Sequence, residues 1–107
     1  MVWSVETLNA TVDSEIAALP RELQGRLIRV IDAVQALGPM GLPRDWSKHL
    51  GDGLWELRFQ ARDGIARAIY VTVAVRRVVI VRVFAKKTQK TPHHELELAR
   101  SRAKEVQ

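Results

Sequence analysis

Charged side chains gather in the second half of the chain at spacings that let them converge. Glu56 and Arg58 share one face of the alternating stretch Leu54 to Gln60, because side chains two apart on a strand point the same way. Arg67 sits among Ile65, Ala66, Ala68 and Ile69, and a charge in such surroundings is more often paired or functional than free. The alternative for Glu56, Arg58 and Arg67 is a solvent-facing ladder of weak salt bridges. Lys86, Lys87 and Lys90 stand at or just past the end of the β-branched run that begins at Val78. A rigid strand would thus deliver clustered cations to one sheet edge, an arrangement suited to a polyanion.

His93 and His94 follow, with Glu95 and Glu97 beside them. Adjacent histidines at a helix start project in different directions, and no Cys or third spaced ligand accompanies them, so no metal site is expected. Asp45 and Asp52 read as turn residues. Neither a Gly-rich phosphate loop nor a nucleophile elbow is present, and no cofactor is called for.

The elements that must position these groups follow from periodicity. Trp3 to Val5 reads as a short opening strand, and Asn9 or Thr11 can cap a first helix carrying Val12, Ile16 and Leu19. After Pro20, a longer helix places Leu23, Leu27, Ile28, Ile31, Val34 and Leu37 on one stripe and stops at Gly38-Pro39. From Gly38 to Gly53 a long loop, or a poorly regular strand around Trp46 to Leu50, is expected. Trp55, Leu57 and Phe59 should face the core. Asp63-Gly64 signals a hairpin with a loop longer than two residues, returning through Ile65 to Val73, and Ala74 to Arg76 turns into the strand ending at Phe84. Pro92 opens a closing helix to Gln107. The expected fold is α+β in the order β-α-α-β-β-β-α, a helical hairpin and C-terminal helix packed on a small, mainly antiparallel sheet.

Its 107 residues suffice for a single domain over 1–107. Without Cys there is no disulfide or thiolate chemistry, which is compatible with a reducing cytoplasm. No stretch reaches membrane-spanning length, and no signal peptide pattern opens the chain, so a cytoplasmic protein with no membrane partner is expected. Of the net charge of +5, residues 1–43 hold three Lys/Arg against five acids, and residues 44–107 hold fourteen against seven. This asymmetry points to a basic face of the kind that neutralises nucleic-acid phosphates, the alternative being a merely solubilising surface.

The segments Lys48-His49-Leu50, Leu54 to Arg58, Arg67 to Tyr70 and Phe84 to Pro92 resemble those of the RelE/ParE superfamily of type II toxin-antitoxin toxins, in particular its phage-related HigB-like branch. The resemblance covers nearly the whole chain. It implies a toxin that cuts mRNA on the ribosome without a metal, using the RNA 2′-hydroxyl as nucleophile, and that is held in a hetero-oligomer by a cognate antitoxin, expected to be a helix-turn-helix protein. It also implies catalytic basic roles for Arg58, Arg67 and Lys87, with Arg67 gripping the scissile phosphate. RelE-type members carry a lysine where this chain has Glu56 and a tyrosine near His93. Glu56 as base and His93 as acid form an alternative set. Lys48, His49, Lys86 and Lys90 are candidate RNA contacts. Trp46, Trp55 and Phe84 could stack on bases, with core packing the competing role for Trp55. Two other functions share these features: a ParE-like inhibitor of DNA gyrase without nuclease activity, and a non-catalytic nucleic-acid-binding module.

Overall fold

The computed structural model describes residues 2–107. Strand β1 (Ser4–Thr7) leads to helix α1 (Ala10–Ala17) and helix α2 (Arg21–Leu37). Then come strands β2 (Ser47–Gly51), β3 (Leu54–Ala61), β4 (Gly64–Val73) and β5 (Arg77–Lys86), closed by helix α3 (His93–Ala103). The sheet order is β1-β5-β4-β3-β2, with β1 parallel to β5 and the remaining pairs antiparallel. This is the expected α+β architecture with one strand added. The 38–53 stretch contains two short 3-10 turns and then the edge strand β2, which shifts register between His49 and Gly51. No helix among the described residues is long and apolar enough to cross a membrane.

Of the two candidate caps, Asn9 does the work for α1, its side chain accepting from the Val12 amide at 3.1 Å. Pro20 precedes α2 and makes no side-chain cap, so the Asp63 carboxylate, reaching across from the β3–β4 turn, accepts the Glu22 amide at 2.9 Å. That turn is tighter than expected. Ala61 pairs with Gly64, leaving Arg62 and Asp63 as a two-residue connection. Gly64 has φ +147, and an added Cβ would come within 3.3 Å of Leu23, so the close seating of this hairpin on α2 requires glycine.

Two apolar layers sandwich the sheet. The hairpin side buries Leu23, Leu27, Val30 and Val34 of α2 against Leu57, Phe59, Ala66, Ala68, Tyr70 and Ile80. The α3 side buries Leu54, Ile69, Val79, Val81, Phe84 and Ala99. The α2 stripe is rotated from the one expected: Val30 is buried, whereas Ile28 and Leu37 are about 60% exposed. One helical face holds positions 23, 27, 30 and 34 in line, and a wider apolar pattern cannot all touch a single sheet.

Candidate functional site

Register places the candidate side chains row by row on the α3 face. Lys48 of β2 is the partner of Glu56 on β3, Arg58 is the partner of Arg67 on β4, Arg67 pairs with Phe84 on β5, and Ile65 pairs with Lys86. The alternation that buries Leu54, Ile69 and Phe84 under α3 carries Glu56, Arg58, Arg67 and Lys86 out to the same side, beyond the helix's first turn.

Glu56 and Arg67 are each only 2% exposed. The Glu56 carboxylate lies 3.6 Å from Arg67 Nε and 3.8 Å from Arg58 Nε, ion pairs too long for hydrogen bonds, and Arg67 Nε has no hydrogen-bond partner. Burial, opposed by Glu56 and reinforced by Arg58, pulls the Arg67 guanidinium below its ordinary pKa. A buried guanidinium whose Nε is unsatisfied is a costly arrangement that stability alone does not favour.

The cover over this cluster is the strap of residues 87–92. Arg67 donates through Nη1 to the Ala66 carbonyl at 2.9 Å and through Nη2 to both Gln89 oxygens, the side-chain amide at 3.0 Å and the backbone carbonyl at 3.2 Å. Lys86 Nζ donates to the same Gln89 carbonyl at 2.7 Å. Two residues further on, the Thr91 hydroxyl donates to Glu56 at 2.6 Å. The strap thus offers acceptor oxygens to the cations and a donor to the carboxylate. A groove of about 350 Å³ runs beside it, where β3 extends past the end of β2, and Arg26, Trp46, Arg58, Arg67 and Gln89 contribute to its walls. Chemically, the cluster can hold an oxyanion between Arg67, Arg58 and Lys86 and offset charge that grows on it.

Of the other candidates, Lys87 and Lys90 are exposed on the strap. The lysine brought to Arg67 and Glu56 is Lys86: burial first, then Arg67, lowers its pKa from 10.5 to about 8. Lys48 and His49 are both exposed but part company, Lys48 lying in the row of Glu56 while the His49 ring sits 4.6 Å from Trp55 on the hairpin side. Trp55 packs against the hairpin core. His93 is 78% exposed and hydrogen-bonds Glu97 one turn along α3, rather than Glu56. Gln89 and Thr91 escaped sequence reasoning, since neutral strap residues carry no signal until the loop is seen folded back. Among the described residues no three His, Cys, Asp or Glu side chains converge as a metal site would require.

A second charge cluster was also invisible in sequence. Arg82 forks onto Glu95 at 2.7 and 3.0 Å and reaches Glu15 at 2.8 Å, and Arg102 meets Glu15 at 2.8 Å. Beyond Ile80, β5 has no β1 partner, and this cluster takes over the free edge: Val83 N–H donates to Glu15, and Arg102 donates to the Val81 carbonyl. It locks α1 and α3 to β5 and so fixes where the strap must land.

The profile of the family described as phage derived protein Gp49-like matches residues 14–104. Among solved structures the chain is similar to the archaeal RelE-RelB complex from Pyrococcus horikoshii OT3, with a TM-score of 0.54 and 20% sequence identity, over 79% of this chain and 96% of that one. The likeness shows the fold. No curated protein matches the sequence.

Proposed function

The chain belongs to the phage-derived Gp49-like protein family and has the RelE-like fold, and from this we propose that it is the toxin of a type II toxin-antitoxin system, a ribosome-dependent mRNA endonuclease that stops translation. The observation that carries the proposal is the cluster in which Arg58, Arg67 and Lys86 surround one buried carboxylate, Glu56. RNA brings its own nucleophile, the 2′-hydroxyl, so a protein need only align it with the phosphate, assist proton removal and offset charge on the phosphoryl oxygens. Arg67 is suited to the last role, because its fork matches two phosphate oxygens. Glu56 is the nearby carboxylate that can take a proton once Thr91 moves away.

The closed strap supports a need for the ribosome. With Arg67 and Glu56 each 2% exposed, a flexible message must be held in place while the strap lifts, and the ribosome would supply that hold. The Pyrococcus horikoshii protein was solved bound to RelB, and a cognate antitoxin, of helix-turn-helix type, is proposed here as the neutralising partner in a cytoplasmic hetero-oligomer.

The test is expression in a translating extract with mapping of new message 5′ ends. The parent chain should cut message there and leave naked RNA nearly intact, and folded Arg67→Ala should cut neither. The same burial of Arg67 and Glu56 would also suit a non-catalytic ParE-like gyrase inhibitor. Arrest of DNA supercoiling with intact message would establish that function instead.

A further inference from the structure

Resting on the nuclease function proposed above, we propose that Lys86 is a catalytic residue, the proton donor to the 5′-oxygen that leaves when the phosphodiester is cut. The geometry starts from the Gln89 carbonyl oxygen, which is shared: Lys86 Nζ approaches it at 2.7 Å and Arg67 Nη2 at 3.2 Å. A second acceptor, the Gln89 amide oxygen, also lies on Arg67 Nη2 at 3.0 Å. The strap therefore sets two acceptor oxygens on one nitrogen of this guanidinium, and one of them is held jointly by the lysine. When a phosphodiester displaces Gln89, the oxygen between Arg67 and Lys86 belongs to the reacting phosphorus. Arg67 is too weak an acid to give up a proton there. Lys86 can.

The step balances as follows. The 2′-oxygen forms a bond to phosphorus while the P–O5′ bond breaks; the 2′-hydroxyl proton passes to the Glu56 carboxylate, and an Nζ proton passes to O5′. The products are a 2′,3′-cyclic phosphate and a 5′-hydroxyl end, with Lys86 neutral and Glu56 protonated until solvent resets both. The surroundings tune the donor. Arg67 from β4, Arg58 from β3 and Lys48 from β2 oppose the charge on Lys86, Glu56 supports it, and Asp63 and Lys87 line the adjoining groove. With a pKa near 8, the amine is mostly charged at neutral pH yet acidic enough to transfer a proton. Lys87, which the family resemblance marks, is exposed on the strap.

Single-turnover cleavage on purified ribosome complexes, comparing an ordinary message with one whose scissile 5′-oxygen is replaced by sulfur, tests the assignment. A thiolate leaves without a proton. Lys86→Gln should cut the oxygen substrate roughly 10²–10⁴-fold more slowly than the parent and the sulfur substrate at close to the parent rate, whereas Arg67→Ala should be slow on both. Lys86→Arg, which keeps the charge, should behave as Lys86→Gln does and decides the matter if the glutamine variant does not fold. The parent's rate on oxygen should fall above about pH 8, and its rate on sulfur should not. Slow cleavage of both substrates by both lysine variants, or parent-like cleavage of the oxygen substrate, overturns the proton-donor role and leaves the nuclease function standing. A parent protein that cuts neither substrate overturns both.

Discussion

The two charge clusters on this sheet are built on opposite principles. Around Arg82, two cations meet two carboxylates with each ion pair at 2.7 or 2.8 Å, and the spare acceptor and donor capacity goes to the free edge of β5. Around Glu56, the cations Arg58, Arg67 and Lys86 share one carboxylate, the ion pairs open to 3.6 and 3.8 Å, and Arg67 Nε bonds to nothing. The first cluster is complete and has nothing left for a ligand. The second is short of acceptor oxygens, and a neutral residue of its own strap, Gln89, supplies them. Pairing that raises the pKa of Arg82 holds its charge, chiefly through Glu95, while burial lowers that of Arg67. Completeness marks structure, and shortage marks a place kept for something else.

That contrast means the clusters should separate when broken. Arg82→Met should cost about 3–5 kcal/mol of stability, because it strips the largely buried Glu95 of its guanidinium partner, although Glu15 keeps Arg102 and the Val83 N–H. Arg67→Met should cost clearly less, since Glu56 keeps Arg58 and Thr91, yet cleavage on the ribosome should fall roughly 10²–10³-fold. Urea unfolding of both variants beside a cleavage assay makes the comparison. Equal stability losses would mean that the Glu56 cluster is as structural as the other.

The strap gives a sharper version. Gln89→Ala removes the amide oxygen from Arg67 Nη2 and keeps the backbone carbonyl, so the closed form should lose about 1 kcal/mol. Pyrophosphate titrated against the protein, followed by NMR at the Arg67 side chain, should then bind up to roughly fivefold more tightly. Unchanged or weaker binding would make Gln89 a support for Arg67 rather than a stand-in for its ligand.

Lys86 has a pH signature of its own. Its folded pKa of about 8 lies below the ordinary 10.5, so between these values the unfolded chain binds more protons than the folded one. Its contribution to stability is therefore full above 10.5 and is lost as pH falls through about 8. Lys86→Met should remove that dependence and stabilise the protein at pH 7 by at most about 1 kcal/mol, after allowance for solvent screening of a half-buried amine. Denaturant midpoints of parent and variant from pH 7 to 10.5 would measure it.

Sequence made one cluster partly visible and hid the other for a single physical reason. Arg67 stands out because its strand neighbours are apolar, and Glu56 and Arg58 share a face by the period of two; both signals are local. The fold's elements were likewise legible from local periodicity. Glu15, Arg82, Glu95 and Arg102 come from three separate elements, and each looks like an ordinary surface charge until the chain is folded. The choice of Lys86 over Lys87 rests on where β5 ends, and strand β2, expected near Trp46 to Leu50 only as the alternative to a long loop, is decided by pairing with β3, since its own sequence alternates weakly. Ile28 and Leu37 look like core because helical spacing alone does not say how wide the covered stripe is.

The smallest effect belongs to a pair that resembles the Arg82 cluster in distance alone. Arg100 Nε meets Asp52 at 3.0 Å, closer than any ion pair around Glu56, but the two side chains are 42% and 67% exposed. Water already solvates both partners, and fixing two long side chains in one geometry offsets most of the Coulomb gain. Asp52 owes its place to the turn between β2 and β3, where it takes φ 53, rather than to the arginine. Arg100→Ala should shift stability by no more than about 0.5 kcal/mol and leave cleavage unaltered. A loss above about 1 kcal/mol would mean that distance rather than burial ranks these pairs, and the contrast between the Arg82 and Glu56 clusters would then need another basis.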